Sequence, residues 1–308
     1  MKLDATLSPA EVLAQVAQAL PADVRADVII IGSLAAGYHF FAGDGARAIR
    51  TKDVDCLFSP HSKAVAAVTE VTDQLIRADW KLRESQSWSR PGTKDDPEDG
   101  LPMVRLRPPG ETASPWFLEL LSAPPAFNPD AQGKKLRRVE TSIGHFAICS
   151  FDFLALAEWE PLETVCGLRI ARPEMMALAN LLHHPEIADT LIAGTDYKRS
   201  NKDLGLVLAL AYLTTERDRR DGTEELEAWA GRMWRALQDK FGSQAAGLAN
   251  RAGAGLRALL ASQTDLKQAL RITNLGLLAS MDVSVEAFSA TGRRFLSEVI
   301  DDLEKLAQ

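Results

Sequence analysis

The sequence predicts an α+β fold, a mixed β-sheet followed by an α-helical domain, on three observations. Short β-branched or apolar runs bounded by Gly, Pro and Asp recur up to Arg172. From Pro173 onward only the helical period of apolar residues remains. The 308 residues, 46% of them hydrophobic, can bury a core in each of two domains. The expected division is 1–172 and 173–308.

The elements follow in order. Ser8, Pro9 and Glu11 form a helix-start pattern, a capping serine before proline at the first helical position, leading into Val12, Val16 and Leu20. Val28 to Ile31 is a β-branched run stopped by Gly32, with Ser33 expected to cap a helix through Leu34, Tyr38 and Phe41. After the Gly-rich insert Gly43 to Ala46, Val54 to Phe58 reads as a second strand. Pro60 then opens a helix through Val65, Val68, Val71 and Leu75. Ser85 to Gly100 is polar and turn-rich, so a loop is expected. Met103 to Leu106 and Trp116 to Leu121 read as an antiparallel pair around the turn-forming PPGETASP. Further strands are expected at His145 to Cys149 and Val165 to Ile170, with a helical Phe151 to Trp159 between them.

In the second half, Met175, Leu178, Leu181 and Leu182 share one helical face, as do Leu226, Trp229, Met233 and Leu237. Asp203 to Leu213 is almost wholly apolar, the pattern of a buried central helix. Phe288 to Leu306 reads as a closing amphipathic helix.

Net charge of −7 and a pI near 5.4 argue against broad non-specific nucleic-acid binding. Cys56, Cys149 and Cys166 are far apart and form no CxxC pair, so neither a disulfide framework nor a zinc site is indicated. The start of the chain shows no signal-peptide core, and no apolar run reaches the roughly 18 to 20 residues of a membrane span. A reducing, cytoplasmic setting without membrane contact is expected. His183 and His184, adjacent in a helix, point about 100° apart and read as surface. Lys134, Lys135, Arg137 and Arg138 read as a solvated loop, or as a guide for phosphate.

The chemistry concentrates around Val28 to Phe58. Asp53 and Asp55 alternate within a strand, so they face the same way roughly 7 Å apart and repel unless a cation lies between them. Mg²⁺ takes one or two carboxylates and completes its octahedron with water and substrate phosphates. Gly32 and Ser33, at the mouth of a helix, offer close backbone approach, a hydroxyl and N–H groups toward an anion. Glu119 is a charge inside an apolar strand, fit to be a third ligand or a base. Walker and Rossmann motifs are absent.

Ile31-Gly32-Ser33 followed by Asp53-Val54-Asp55 resembles the hG[GS]…DhD signature of the polymerase-β-like nucleotidyltransferase superfamily, and Glu119 matches its third carboxylate. Within it the chain resembles the AbiEii-type toxins of toxin-antitoxin pairs, in the Arg50-Thr51-Lys52 lead-in and in Lys202-Asp203. The resemblance implies a mixed-sheet catalytic domain followed by helices. It also implies transfer of a nucleoside monophosphate from an NTP, with Mg²⁺ or Mn²⁺, to an acceptor such as RNA or tRNA. Asp53, Asp55 and Glu119 would be catalytic and metal-binding, with Gly32, Ser33, Lys52, Lys202 and Asp203 holding the nucleotide. A cognate antitoxin protein would be a partner. The chain departs from the group in the helix PEMMALANLL, which lacks the group's lysine and offers Met176, Ala177 and Asn180. Two other readings follow: a degenerate fold that binds nucleotide or protein without catalysis, and a small-molecule nucleotidyltransferase of the antibiotic-modifying kind.

Overall fold

The computed structural model describes residues 6–43, 47–83, 90–110, 116–128, 134–187, 190–192 and 194–308. Parts of the expected Gly43 insert, of the Ser85 loop and of the PPGETASP turn lie outside these residues. The chain divides into two compact units, Met1–Ala171 and Arg172–Gln308.

The first unit is a mixed sheet with helices. Helix α1 (Pro9–Ala19) starts at Ser8, whose hydroxyl accepts from the Glu11 amide at 3.4 Å. Strand β1 (Val28–Ile31) runs directly into α2 (Gly32–Phe41), and β2 (Asp53–Phe58) is followed by α3 (His61–Arg77). Next come β3 (Lys81–Leu82), β4 (Arg105–Arg107), β5 (Phe117–Ser122), β6 (Lys135–Thr141) and β7 (Gly144–Ser150). After them a 3₁₀ turn over Asp152–Glu158 leads to β8 (Leu162–Glu163) and β9 (Arg169–Ile170). The strand order is β3-β4-β5-β2-β1-β9-β8, with β7 joining β5 at Leu121 and carrying β6. β2 is antiparallel to β1 and parallel to β5. The core side chains Ile30, Val54, Cys56, Leu118 and Leu120 are fully buried, so the central strands are apolar on the face opposite their carboxylates.

Four expectations are corrected. Ser33 does not cap α2. The helix begins at Gly32, and Ile31 holds the cap position without a side-chain cap hydrogen bond. Lys135, Arg137 and Arg138 belong to strand β6 rather than to a loop, held by its full ladder with β7. The run Val165 to Ile170 is a hairpin return: only its end is strand β9, and Val165 is 98% exposed. Phe151 to Trp159 forms a 3₁₀ rather than an α-helical segment.

The second unit is helical. It comprises α4 (Pro173–Ile187), α5 (Arg199–Asp221), α6 (Trp229–Phe241), α7 (Ala245–Ala252), α8 (Ala254–Ala261), α9 (Gln263–Asn274), α10 (Val285–Phe295) and α11 (Asp301–Leu306). A π-helical turn over Leu296–Ile300 links the last two. Helix α5 is central, packed by α4, α8, α9 and α10, with Val207, Leu208, Ala209, Leu210 and Ala211 fully buried. Gly205 permits a close crossing: a Cβ there would lie 3.1 Å from the Ala269 carbonyl of α9. Beneath α4, Glu174 is 1% exposed and meets Arg232 of α6 at 2.6 Å, with Arg172 at 3.7 Å. Burial pushes the Glu174 carboxyl above its ordinary range, and the two arginines oppose that push. His183 and His184 are half-buried, not surface, and α8 passes beside His184 at Gly255.

Among the described residues, no helix is long and apolar enough to cross a membrane.

Candidate active site

Strand β2 is flanked by β1 and β5, and the register brings the acids together. Asp55 stands opposite Ile31 on one side and Glu119 on the other. Asp53, two residues back, faces the same way, opposite Phe117. Both aspartates are half-buried, at the edge of an apolar layer where a charge keeps some contact with water. The buried Thr51 hydroxyl lies 2.9 Å from Asp53 Oδ1 and fixes that carboxylate from below.

Gly32 closes the site from the β1 side. Its φ of +72° is a left-handed conformation that favours glycine, and an added Cβ would stand 2.9 Å from Asp55 Oδ2. The same turn swings the chain straight into α2, so the helix starts beside the Asp55 carboxylate. Ser33 sits within that first turn, half-buried. Lys52 precedes β2 with an exposed side chain, and its carbonyl accepts from the Phe117 amide at 2.9 Å.

Glu119 is already engaged. Arg105, directly across β4, grips it with two bonds, Nε to Oε2 at 3.0 Å and a terminal nitrogen to Oε1 at 2.9 Å. Arg83 lies over the Phe117 ring at 3.8 Å. Burial, then the charges of Arg105 and Arg107, pushes the pKa of Arg83 below the ordinary guanidinium value, while Asp53 and Glu119 act against that push. The residues that sequence reasoning missed are therefore Thr51, Arg83 and Arg105. Arg105-Leu106-Arg107 carried a signal, since alternation in a strand sets both guanidiniums on one face.

Lys202 and Asp203 belong to the helical unit, in α5. Lys202 is exposed. Asp203 is half-buried, and burial raises its carboxyl pKa against Lys202, His183 and Arg199. Asn180, in the α4 stretch that lacks a lysine, donates back to the Met176 carbonyl at 2.8 Å.

Among the described residues, no three His, Cys, Asp or Glu side chains are grouped to hold one ion. The donor set that remains is the Asp53 and Asp55 pair, which suits a hard cation finishing its shell with water and phosphate.

The cysteine behind this site is chemically silent. Burial, and then the Asp55 charge, pushes the Cys56 thiol far above its ordinary range, and burial pushes Cys149 up to about 11. Only Cys166, half-exposed, should react with a thiol-specific reagent in the native protein at mildly alkaline pH, with the other two appearing on denaturation. Rapid native labelling of Cys56, read by peptide mass spectrometry, would contradict this packing.

No family model, curated protein or solved structure matches the chain.

Proposed function

We propose that the protein is a metal-dependent nucleotidyltransferase that moves a nucleoside monophosphate from an NTP to an acceptor hydroxyl. The observation that carries this reading is the union at one sheet end of Asp53 and Asp55 with the left-handed Gly32 turn and the uncapped amides of α2. Asp53 and Asp55 would hold a divalent ion, Mg²⁺ or Mn²⁺, which when bound supplies charge neutralisation for phosphoryl transfer. The α2 amides would donate to phosphate oxygens, and Gly32 lets them approach without a side chain between. Thr51 keeps Asp53 oriented. Glu119, once released by Arg105, would serve as a base toward the acceptor hydroxyl. Lys202 and Asp203, and a toxin role with an antitoxin partner, rest on the resemblance alone.

The test is transfer of label from α-labelled NTPs to total RNA, to the protein itself and to small hydroxyl compounds, in Mg²⁺ and in Mn²⁺. One metal-dependent acceptor class is the expected result. Absence of transfer to all three would remove the enzymatic reading.

The bidentate Arg105–Glu119 pair favours one second reading, a nucleotide-binding module without turnover. Calorimetry separates the two: tight NTP binding that needs no metal, without transfer, would select the module.

A further inference from the structure

We propose that Arg83, Arg105 and Arg107 form a phosphate-binding strip, a second anion site separate from the α2 amides, on the β5 flank of the carboxylates. This rests on the nucleotidyltransferase reading only for what the bound phosphate would belong to, not for the strip itself.

The sheet register builds the strip. Arg105 and Arg107 alternate on one face of β4, and Lys81 of β3 pairs with Arg107 while the Arg83 amide donates to the Arg105 carbonyl at 2.9 Å. Directly paired residues share a face, so three guanidiniums stand together beside Glu119. Among the described residues, Arg105 pairs with Glu119, whereas neither Arg83 nor Arg107 has a carboxylate at ion-pair distance. Lys81 is neutralised locally by Asp79. Like charges crowded on two short strands destabilise each other, and an anion bridging them reverses that. Guanidiniums match phosphate through paired N–H donors, and Arg83 is held ready by its stack on Phe117.

Position decides what the phosphate belongs to. The α2 amides lie at β1, while the arginines lie beyond β5, with β2 and its aspartates between. At about 4.8 Å per strand, β1 and β4 are roughly 14 Å apart, so the two anion sites flank the aspartates from opposite sides. That arrangement fits two phosphate-bearing substrates. The strip then suits the phosphodiester backbone of a single-stranded acceptor, whose phosphate would also draw Arg105 away from Glu119.

Arg83→Gln and Arg107→Gln, singly and together, test it in the full-length protein. Anisotropy with a labelled single-stranded RNA of roughly 12 nucleotides reads strand binding, and calorimetry reads ATP. The double variant should bind the RNA at least about tenfold more weakly, with the slope of log affinity against log salt reduced by about 1.4 for two lost contacts. ATP binding should stay unchanged. Loss of ATP binding alone would still support the strip while assigning it to the triphosphate. Unchanged affinity for both probes, or no binding of either by the wild-type protein, would overturn the proposal. Arg107→Gln has no stacking role, so it keeps the test valid if the double variant unfolds, and it should weaken RNA binding on its own. Both readouts are free of catalysis. A protein that binds RNA through these arginines yet never transfers label would sink the enzymatic reading and leave the strip standing.

Discussion

Asp55→Asn should abolish metal-dependent label transfer, by a factor on the order of 10³, while the melting transition stays in place. Of the two aspartates, Asp55 is the one with a paired residue on both sides, Ile31 of β1 and Glu119 of β5, and it lies against the Gly32 turn. An amide keeps its shape but supplies no charge to a cation. Folding should tolerate the change, since Asp55 is half-buried and the packing of β2 comes from Val54, Cys56, Leu57 and Phe58. Gly32→Ala makes the companion test. Its Cβ would push on Asp55 Oδ2 in a backbone conformation that L side chains avoid, so it should lower transfer and cost on the order of 1 kcal/mol or more of stability. Transfer that survives Asp55→Asn would show that the paired aspartates are not the cation site.

Arg232→Ala should produce the largest loss of stability, about 3–5 kcal/mol near neutral pH, because it strands Glu174 as a buried charge. The Arg232–Glu174 contact is an ion pair rather than an aligned hydrogen bond, and Arg232 also pairs with Glu225. Only Arg172, at 3.7 Å, would remain near the carboxylate. The pH dependence has a definite sign. The folded-state pKa of Glu174 is raised above its unfolded value, so the stability it contributes is present below that unfolded value and lost as pH rises through the folded one. Removing Arg232 removes the main opposition to the shift. The deficit of the variant should therefore grow with pH and shrink toward the ordinary glutamate value of about 4.3. Denaturant unfolding across a pH series reads this directly, and a deficit that widens on acidification would contradict it. Arg257→Ala is the contrast. Its partners Asp301 and Glu304 are partly exposed, and the expected cost is about 1 kcal/mol or less.

What was legible in the sequence was local. The Ser8-Pro9 helix start, the β-branched Val28 to Ile31 and the apolar face of α4 each declare themselves within a few residues, and each stands in the structure. The mixed sheet followed by helices was legible for the same reason, since a change of hydrophobic period needs no long-range information. Strand β6 was hidden because an edge strand carries lysine and arginine where a central strand carries valine, so its period is masked by charge. The start of α2 was misread because Gly32 bends the chain directly into the helix, so that Ile31 takes the extended cap position and Ser33 falls inside the first turn. The Arg105 grip on Glu119 was invisible for a deeper reason. It depends on the register between β4 and β5, fixed by the packing of both strands rather than by either alone.

Strand β6 also bears on how the molecule lives at high concentration. Among the described residues β7 is the only strand it pairs with, so its other side offers a rim of backbone groups that a stranger chain could extend. That rim is defended. Arg137 and Arg138 bring same-sign charge that two copies would have to press together, while Lys135 is held by Asp152 at 2.7 Å. The Arg138 amide is taken by Glu98 at 3.3 Å, and the Arg138 guanidinium reaches back to the Thr93 and Asp96 carbonyls. Basic residues on such a rim disfavour edge-to-edge pairing of copies, an effect that needs neither nucleotide nor metal.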